Sequence, residues 1–108
     1  LRYLQMFDID KEAWAEGIIK DKDAVILDVR TQEEIAEGYI PGALQNDIYE
    51  RQEFLDRLEP LDRNKNYYIY CRSGRRSEQA CAVMQSIGFK TTYNLPGGIL
   101  EWAGEIEK

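Results

Sequence analysis

Short apolar runs alternate along the chain with stretches in which apolar residues recur every three or four positions, the pattern of a parallel sheet covered by helices. Asp10 to Lys20 (DKEAWAEGIIK) sets Ala13, Trp14, Gly17 and Ile18 at helical spacing, and Asp10 is placed to cap the first turn. Ala24 to Val29 (AVILDV) is almost continuously aliphatic, as a strand buried on both faces should be. Thr31 with Glu34 three residues later forms a capping box that opens a short helix through Glu37, and Gly38 ends it. Beyond Ile40-Pro41-Gly42, Ala43 to Asn46 reads as a short strand. Arg51 to Leu58 then brings Phe54, Leu55 and Leu58 to one helical face before Pro60 stops it. Tyr67 to Tyr70 has the aromatic and β-branched content of a core strand. Ser77 to Ile87 carries a core-facing stripe of Ala80, Cys81, Val83, Met84 and Ile87 that ends at Gly88, and Thr91 to Leu95 reads as the last strand. After Pro96-Gly97-Gly98 the pattern predicts a final helix near Leu100 to Ile106. No internal repeat, low-complexity tract or linker interrupts the order, so the expectation is one α/β domain over residues 1–108.

Composition narrows the chemistry. A 44% hydrophobic share with 31% charged residues is ordinary for a globular protein and leaves no uninterrupted apolar run of spanning length, so no membrane association is expected. Fourteen basic against twenty acidic residues give a net charge of −6, which argues against nucleic acid as a partner. Two cysteines are too few for a disulfide scaffold, and without histidine a structural zinc site would need carboxylates, so no metal is expected. The absence of histidine also removes Ser-His and Cys-His catalysis, and any nucleophile must be activated without an imidazole. No secretory signal pattern opens the chain, which points to the cytoplasm, although a start at Leu1 leaves room for a removed leader or a longer parent protein.

The candidate chemistry lies in Cys71-Arg72-Ser73-Gly74-Arg75-Arg76-Ser77. Cys71 ends a buried strand, where open α/β sheets place their ligands. Gly74 permits a tight curl that turns successive N–H groups inward as an anion nest, backed by the dipole of the following helix. Arg72, Arg75 and Arg76 invert the local sign on an otherwise acidic chain, with one of Arg75 and Arg76 expected to point to water. Cysteines in such fields have pKa values of roughly 3.5–7.5 rather than about 8.5, so the expected nucleophile is a Cys71 thiolate open to anions. Ser73 and Ser77 are candidate anion ligands, and Ser77 equally suits a helix cap. Cys81, on the apolar stripe, reads as a small core residue.

Taken together these residues resemble a single-domain rhodanese of the thiosulfate sulfurtransferase family. The likeness runs from about Asp8 to Trp102 in three blocks: Leu27-Asp28-Val29-Arg30-Thr31 with Glu33-Glu34 and Gly38-Tyr39-Ile40-Pro41-Gly42-Ala43; the Cys71–Ser77 loop; and Leu95-Pro96-Gly97-Gly98 with Trp102. Tyr39 stands where the family often has histidine, at a structural turn. The resemblance implies a rhodanese-like fold, with a small, mainly parallel sheet of about five strands and helices on both faces, and no cofactor. It also implies ping-pong transfer through a Cys71 persulfide, with thiosulfate as donor and cyanide, a thiol or a protein cysteine as acceptor. In that reading the loop N–H groups cradle the persulfide, and Arg72, Arg75 and Arg76 orient the dianionic donor in preference to 3-mercaptopyruvate. Asp28 and Arg30 are accessory candidates, more readily a hydrogen-bonded pair that fixes the turn, and Gly97, Gly98 and Trp102 read as packing residues. Two alternatives stand beside this one. A non-catalytic binding module of the same fold is one; the other is a phosphatase or arsenate reductase, whose C-x5-R loop would need arginine where this chain has Ser77.

Overall fold

The structure is a computed structural model that describes residues 8–108. Four parallel strands, β1 (Ala24–Asp28), β2 (Leu44–Gln45), β3 (Asn66–Tyr70) and β4 (Thr91–Asn94), make one sheet in the order β2-β1-β3-β4. The fold is of the rhodanese-like α/β type. The strand count corrects the expected five to four among the described residues. Next to β4, Asp8 makes only an isolated parallel bridge to Asn94, and Tyr39 pairs singly with Glu107, so neither site carries a ladder.

Side chains alternate across the sheet and build two cores. Leu27 and Val29 from the β1 side, with Tyr67, Ile69 and Cys71 from the β3 side, pack under α3 (Arg51–Leu58) and α4 (Arg75–Ser86) through Phe54, Leu58, Ala80, Cys81 and Met84. The opposite face buries Tyr68, Tyr70 and Leu95 beneath Trp14 of α1 (Lys11–Lys20). Trp14 is fully buried and meets Tyr68, Tyr70 and Trp102 edge-on, with centroids 5.9, 6.1 and 5.6 Å apart. Helices therefore cover both faces. No helix among the described residues is long and apolar enough to cross a membrane.

The short helix α2 (Gln32–Ala36) starts as its sequence predicts. The Thr31 hydroxyl accepts from Glu34 N–H at 3.3 Å, while the Glu34 carboxylate accepts from Thr31 N–H at 3.1 Å. Two boundaries differ. Gly74 takes a left-handed φ of 105° and acts as the N-cap, so α4 begins at Arg75 rather than Ser77. The predicted helix over Leu100 to Ile106 is instead a single 3-10 turn, Gly98–Glu101, followed by extended chain. Beyond that turn the backbone finds partners outside any helix: Glu105 C=O accepts from the Trp102 indole, and Glu107 exchanges both hydrogen bonds with Tyr39.

Candidate active site

β3 sits at the centre of the sheet and ends at Tyr70, which places Cys71 at the carboxyl edge between β1 and β4. The chain then curls through Arg72, Ser73 and Gly74 into α4. Gly74 N–H donates to the Cys71 Sγ at 3.1 Å, and the Ser77 hydroxyl lies 3.3 Å from the same sulfur. Burial pushes the Cys71 thiol up, but the Ser77 hydroxyl and the N–H groups of Ser77, Gly74 and Ser73 outweigh it, leaving the pKa below its ordinary value. Cys81 shows the contrast. Burial without comparable donors pushes it up to about 12, so it is a neutral thiol at any physiological pH.

The electrostatics differ from the arginine-led field that the sequence suggested. Hydrogen-bond donors rather than guanidinium groups lead the lowering at Cys71. Arg76 interacts with the sulfur at longer range, but its head forks onto the Glu34 carboxylate at 2.7 and 2.8 Å and lies over the Tyr49 ring. That pairing holds the Glu34 carboxyl down at about 2. Arg72, Ser73 and Arg75 are exposed, so Arg75 is the member of the Arg75–Arg76 pair that faces water.

Access also departs from the sequence reading. Cys71 is only 1% exposed and lies under the loop that begins with the exposed Arg72 and Ser73. Beside that loop is a depression of about 260 Å³ lined by Arg30, Glu34, Arg72, Leu100 and Ile106 among others. Gly74 and Ser77 are buried against the sulfur, and Ser77, fully buried inside α4, is not its cap.

Asp28 and Arg30 lie under the neighbouring strand end. Arg30 Nε and Nη2 donate to the Asp28 carboxylate at 3.0 and 2.8 Å, the guanidinium also donates to the carbonyls of Glu34 and Gly38 at 3.3 and 2.8 Å, and it lies over the Tyr70 ring. The Tyr70 hydroxyl donates to Asp28 at 2.5 Å and accepts from Ile40 N–H at 3.0 Å. With Asp28 fully buried and Arg30 4% exposed, the pair knits the end of β1 to the Gly38–Ile40 turn and to β3.

The Leu95–Gly98 block reaches the same site from the far side. Ile99 N–H donates to Cys71 C=O at 2.9 Å and Leu100 N–H to Arg72 C=O at 3.2 Å, so the 3-10 turn is laced to the cysteine loop. Asn94, at the end of β4, went unremarked in the sequence. Its amide Nδ2 donates to Gly74 C=O at 3.3 Å while its Oδ1 accepts from the Ser77 hydroxyl. A lone asparagine at a strand end carries no signal of its own, and Glu34 drew notice as a helix cap and as part of the first block of resemblance, with nothing to tie it to Arg76. Among the described residues no group of three or more metal-binding side chains converges.

A parallel α/β sheet with a cysteine held by N–H groups in a curl at its carboxyl edge defines the class of fold and site to which this chain is compared. The Rhodanese-like domain family matches residues 11–105, and the chain belongs to that family. A sulfurtransferase of Allochromatium vinosum is 38% identical over 96 residues, covering 89% of this chain and 87% of that protein. A tRNA uridine(34) hydroxylase of Pelagibacter ubique is 34% identical over 100 residues, 93% of this chain but 33% of that larger protein. The crystal structure of a rhodanese-like domain protein from Staphylococcus aureus superposes with a TM-score of 0.81 at 32% identity, covering 94% of this chain and 97% of that one.

Proposed function

We propose that the protein is a sulfurtransferase that carries sulfane sulfur on Cys71. The observation that supports this most is the paired donation from Gly74 N–H and the Ser77 hydroxyl toward a sulfur whose pKa is lowered. The Cys71 thiolate attacks the outer sulfur of thiosulfate, forming a new S–S bond as the donor's own S–S bond breaks and sulfite departs with that bond's electron pair. An acceptor nucleophile, cyanide or a thiol, then attacks the outer sulfur of the persulfide and returns Cys71 as thiolate. Both leaving groups depart as anions, so neither half-reaction demands a general acid, in keeping with a chain that has no histidine.

In this reading Arg72 and Arg75, exposed beside the loop, attract the dianionic donor, while Arg76 is largely neutralised by Glu34. The loop N–H groups receive the charge that develops on sulfur. Small anions, thiols and a protein persulfide partner are all acceptors or donors of the right chemistry. The site is proposed to work without cofactor, nucleic acid or membrane, in the cytoplasm.

Intact mass after incubation with thiosulfate tests the reading. Wild type should gain one sulfur atom, Cys71→Ser should gain none, and the gain should disappear on adding cyanide. The 1% exposure of Cys71 favours one second reading, a binding module of the same fold in which the thiol is never reached. Absence of any sulfur gain in wild type, with several donors, would establish that second reading. The phosphatase alternative has less support, because Ser77 occupies the arginine position of a C-x5-R loop and the helix has already begun at Arg75.

A further inference from the structure

Three buried groups close a ring with the candidate nucleophile, Cys71 Sγ: the Ser77 hydroxyl, the Asn94 amide and the Gly74 backbone. The Ser77 hydroxyl has a single proton and two prospective acceptors, the Cys71 sulfur and Asn94 Oδ1. Asn94 cannot turn its amide over to relieve the competition, because Nδ2 is committed to Gly74 C=O and a flipped oxygen would face that carbonyl. Asn94 therefore always presents an acceptor to Ser77.

We propose that Asn94 is a positioning residue for Cys71: its amide oxygen holds the Ser77 proton while the sulfur is a thiol and yields it to the sulfur when the sulfur is ionised. With the thiol, the chain of donors is complete, S–H to Ser77 Oγ and Ser77 O–H to Asn94 Oδ1. With the thiolate, Ser77 rotates its proton onto sulfur and leaves two acceptor oxygens facing each other inside the protein, Ser77 being fully buried and Asn94 7% exposed. An unmatched buried acceptor is costly. Asn94 thus opposes ionisation of the sulfur that Gly74 and Ser77 favour, and it limits how much of the thiolate persists before a donor anion arrives.

Other charged and titratable groups stand around the sulfur on the neighbouring elements. Arg72, Arg75 and Arg76 come from the loop and α4, Arg76 already paired with Glu34 of α2. The Asp28–Arg30 pair lies at the end of β1, and Cys81 and Glu78 lie on α4. None of them receives the Ser77 proton. The proposal rests on Cys71 being the reactive thiol, and its test reads ionisation directly, so it stands or falls apart from sulfur transfer.

The experiment follows thiolate ultraviolet absorbance against pH in a Cys81→Ala background, with circular dichroism confirming the fold of each variant. Ser77→Ala should move the Cys71 midpoint up. Asn94→Ala should move it down by roughly half to one pH unit, the equivalent of one modest hydrogen bond. In the Ser77→Ala background the Asn94→Ala shift should vanish, because the competition has no proton to act on. Should Asn94→Ala not fold, Asn94→Thr replaces it, with the same downward shift expected because a threonine hydroxyl donates as well as accepts. An upward or absent shift in the Asn94 variants, or a downward shift that survives removal of the Ser77 hydroxyl, would overturn the proposal. Sulfur gain by mass, measured on the same proteins, reports the enzymatic reading independently.

Discussion

Gly98 and Gly42 both have positive φ, 63° and 87°, yet their surroundings differ completely. A Cβ on Gly42 would meet nothing within 4 Å, whereas one on Gly98 would collide with the Arg72 carbonyl and approach Ser73 N to 2.6 Å. Those atoms are the backbone of the cysteine loop, and backbone laced by the Ile99 and Leu100 N–H groups cannot swing aside as a flexible side chain would. Gly42→Ala should therefore cost only the roughly 1–2 kcal/mol of left-handed backbone for an L residue. Gly98→Ala should cost about 3 kcal/mol or more and displace the loop. Thermal denaturation of the two variants with the sulfur-gain assay checks this. Gly42→Ala should keep full sulfur loading, and Gly98→Ala should lose most of it even at temperatures where it is folded. Equal losses in both variants would show that loop contact at Gly98 is immaterial. Gly97-Gly98 is legible in the sequence as a turn, but that Gly98 is the floor on which residues 72 and 73 rest follows only from their approach in three dimensions.

Among the elements, α2 links ordinary helix capping to the candidate site. Glu34 accepts from the N–H and hydroxyl of Thr31 and at the same time clasps Arg76 across a gap of 42 residues in sequence. Thr31→Ala should remove about 1 kcal/mol of capping, near a 5 °C fall in melting temperature for a domain of this size. Because Glu34 then keeps Thr31 N–H and Arg76, Thr31→Ala should leave sulfur loading within about twofold of wild type. A loss of loading as large as that of Gly98→Ala would mean that the cap itself positions the loop. The elements also show where sequence is a sufficient guide. The capping box and the aromatic and β-branched content of Tyr67 to Tyr70 are local patterns that appear in the structure as predicted, and so does the stripe on α4 at Ala80, Cys81 and Met84, whereas Ile87, predicted to face the core with them, caps the helix end and is 40% exposed. Failures fall where a distant partner decides. Gly74 opens α4 two residues early because its positive φ lets the chain reverse over the sulfur, and Leu100 to Ile106 gives up helix because Tyr39 and the cysteine loop satisfy its backbone instead. Arg76 likewise reads as a free cation until Glu34 is seen beside it.

At the scale of the whole molecule, a net charge of −6 leaves most carboxylates solvated, and acid stability should be governed by the few that are held. Glu34 is the clearest, with its carboxyl held near 2 against an ordinary 4.5 by Arg76, opposed in part by burial. Its folded pKa is depressed, so its contribution is complete above about pH 4.5 and is lost as pH falls toward 2. The side chains of this pair are 15% and 22% exposed, partly shielded from solvent, and the shift corresponds to about 3 kcal/mol at most. Asp21, lowered by its Asn66 hydrogen bond against a smaller opposing desolvation, acts in the same direction from the far end of the sheet but is not coupled to the site. Denaturant unfolding of wild type and Glu34→Gln across pH 5 to 2 separates the two. Wild type should be the more stable at pH 5, the gap should shrink as pH falls, and the curves should meet near pH 2, where the Glu34 carboxylate becomes protonated. A gap that persists unchanged to pH 2 would mean that packing of the side chain, and not its charge, joins α2 to the cysteine loop.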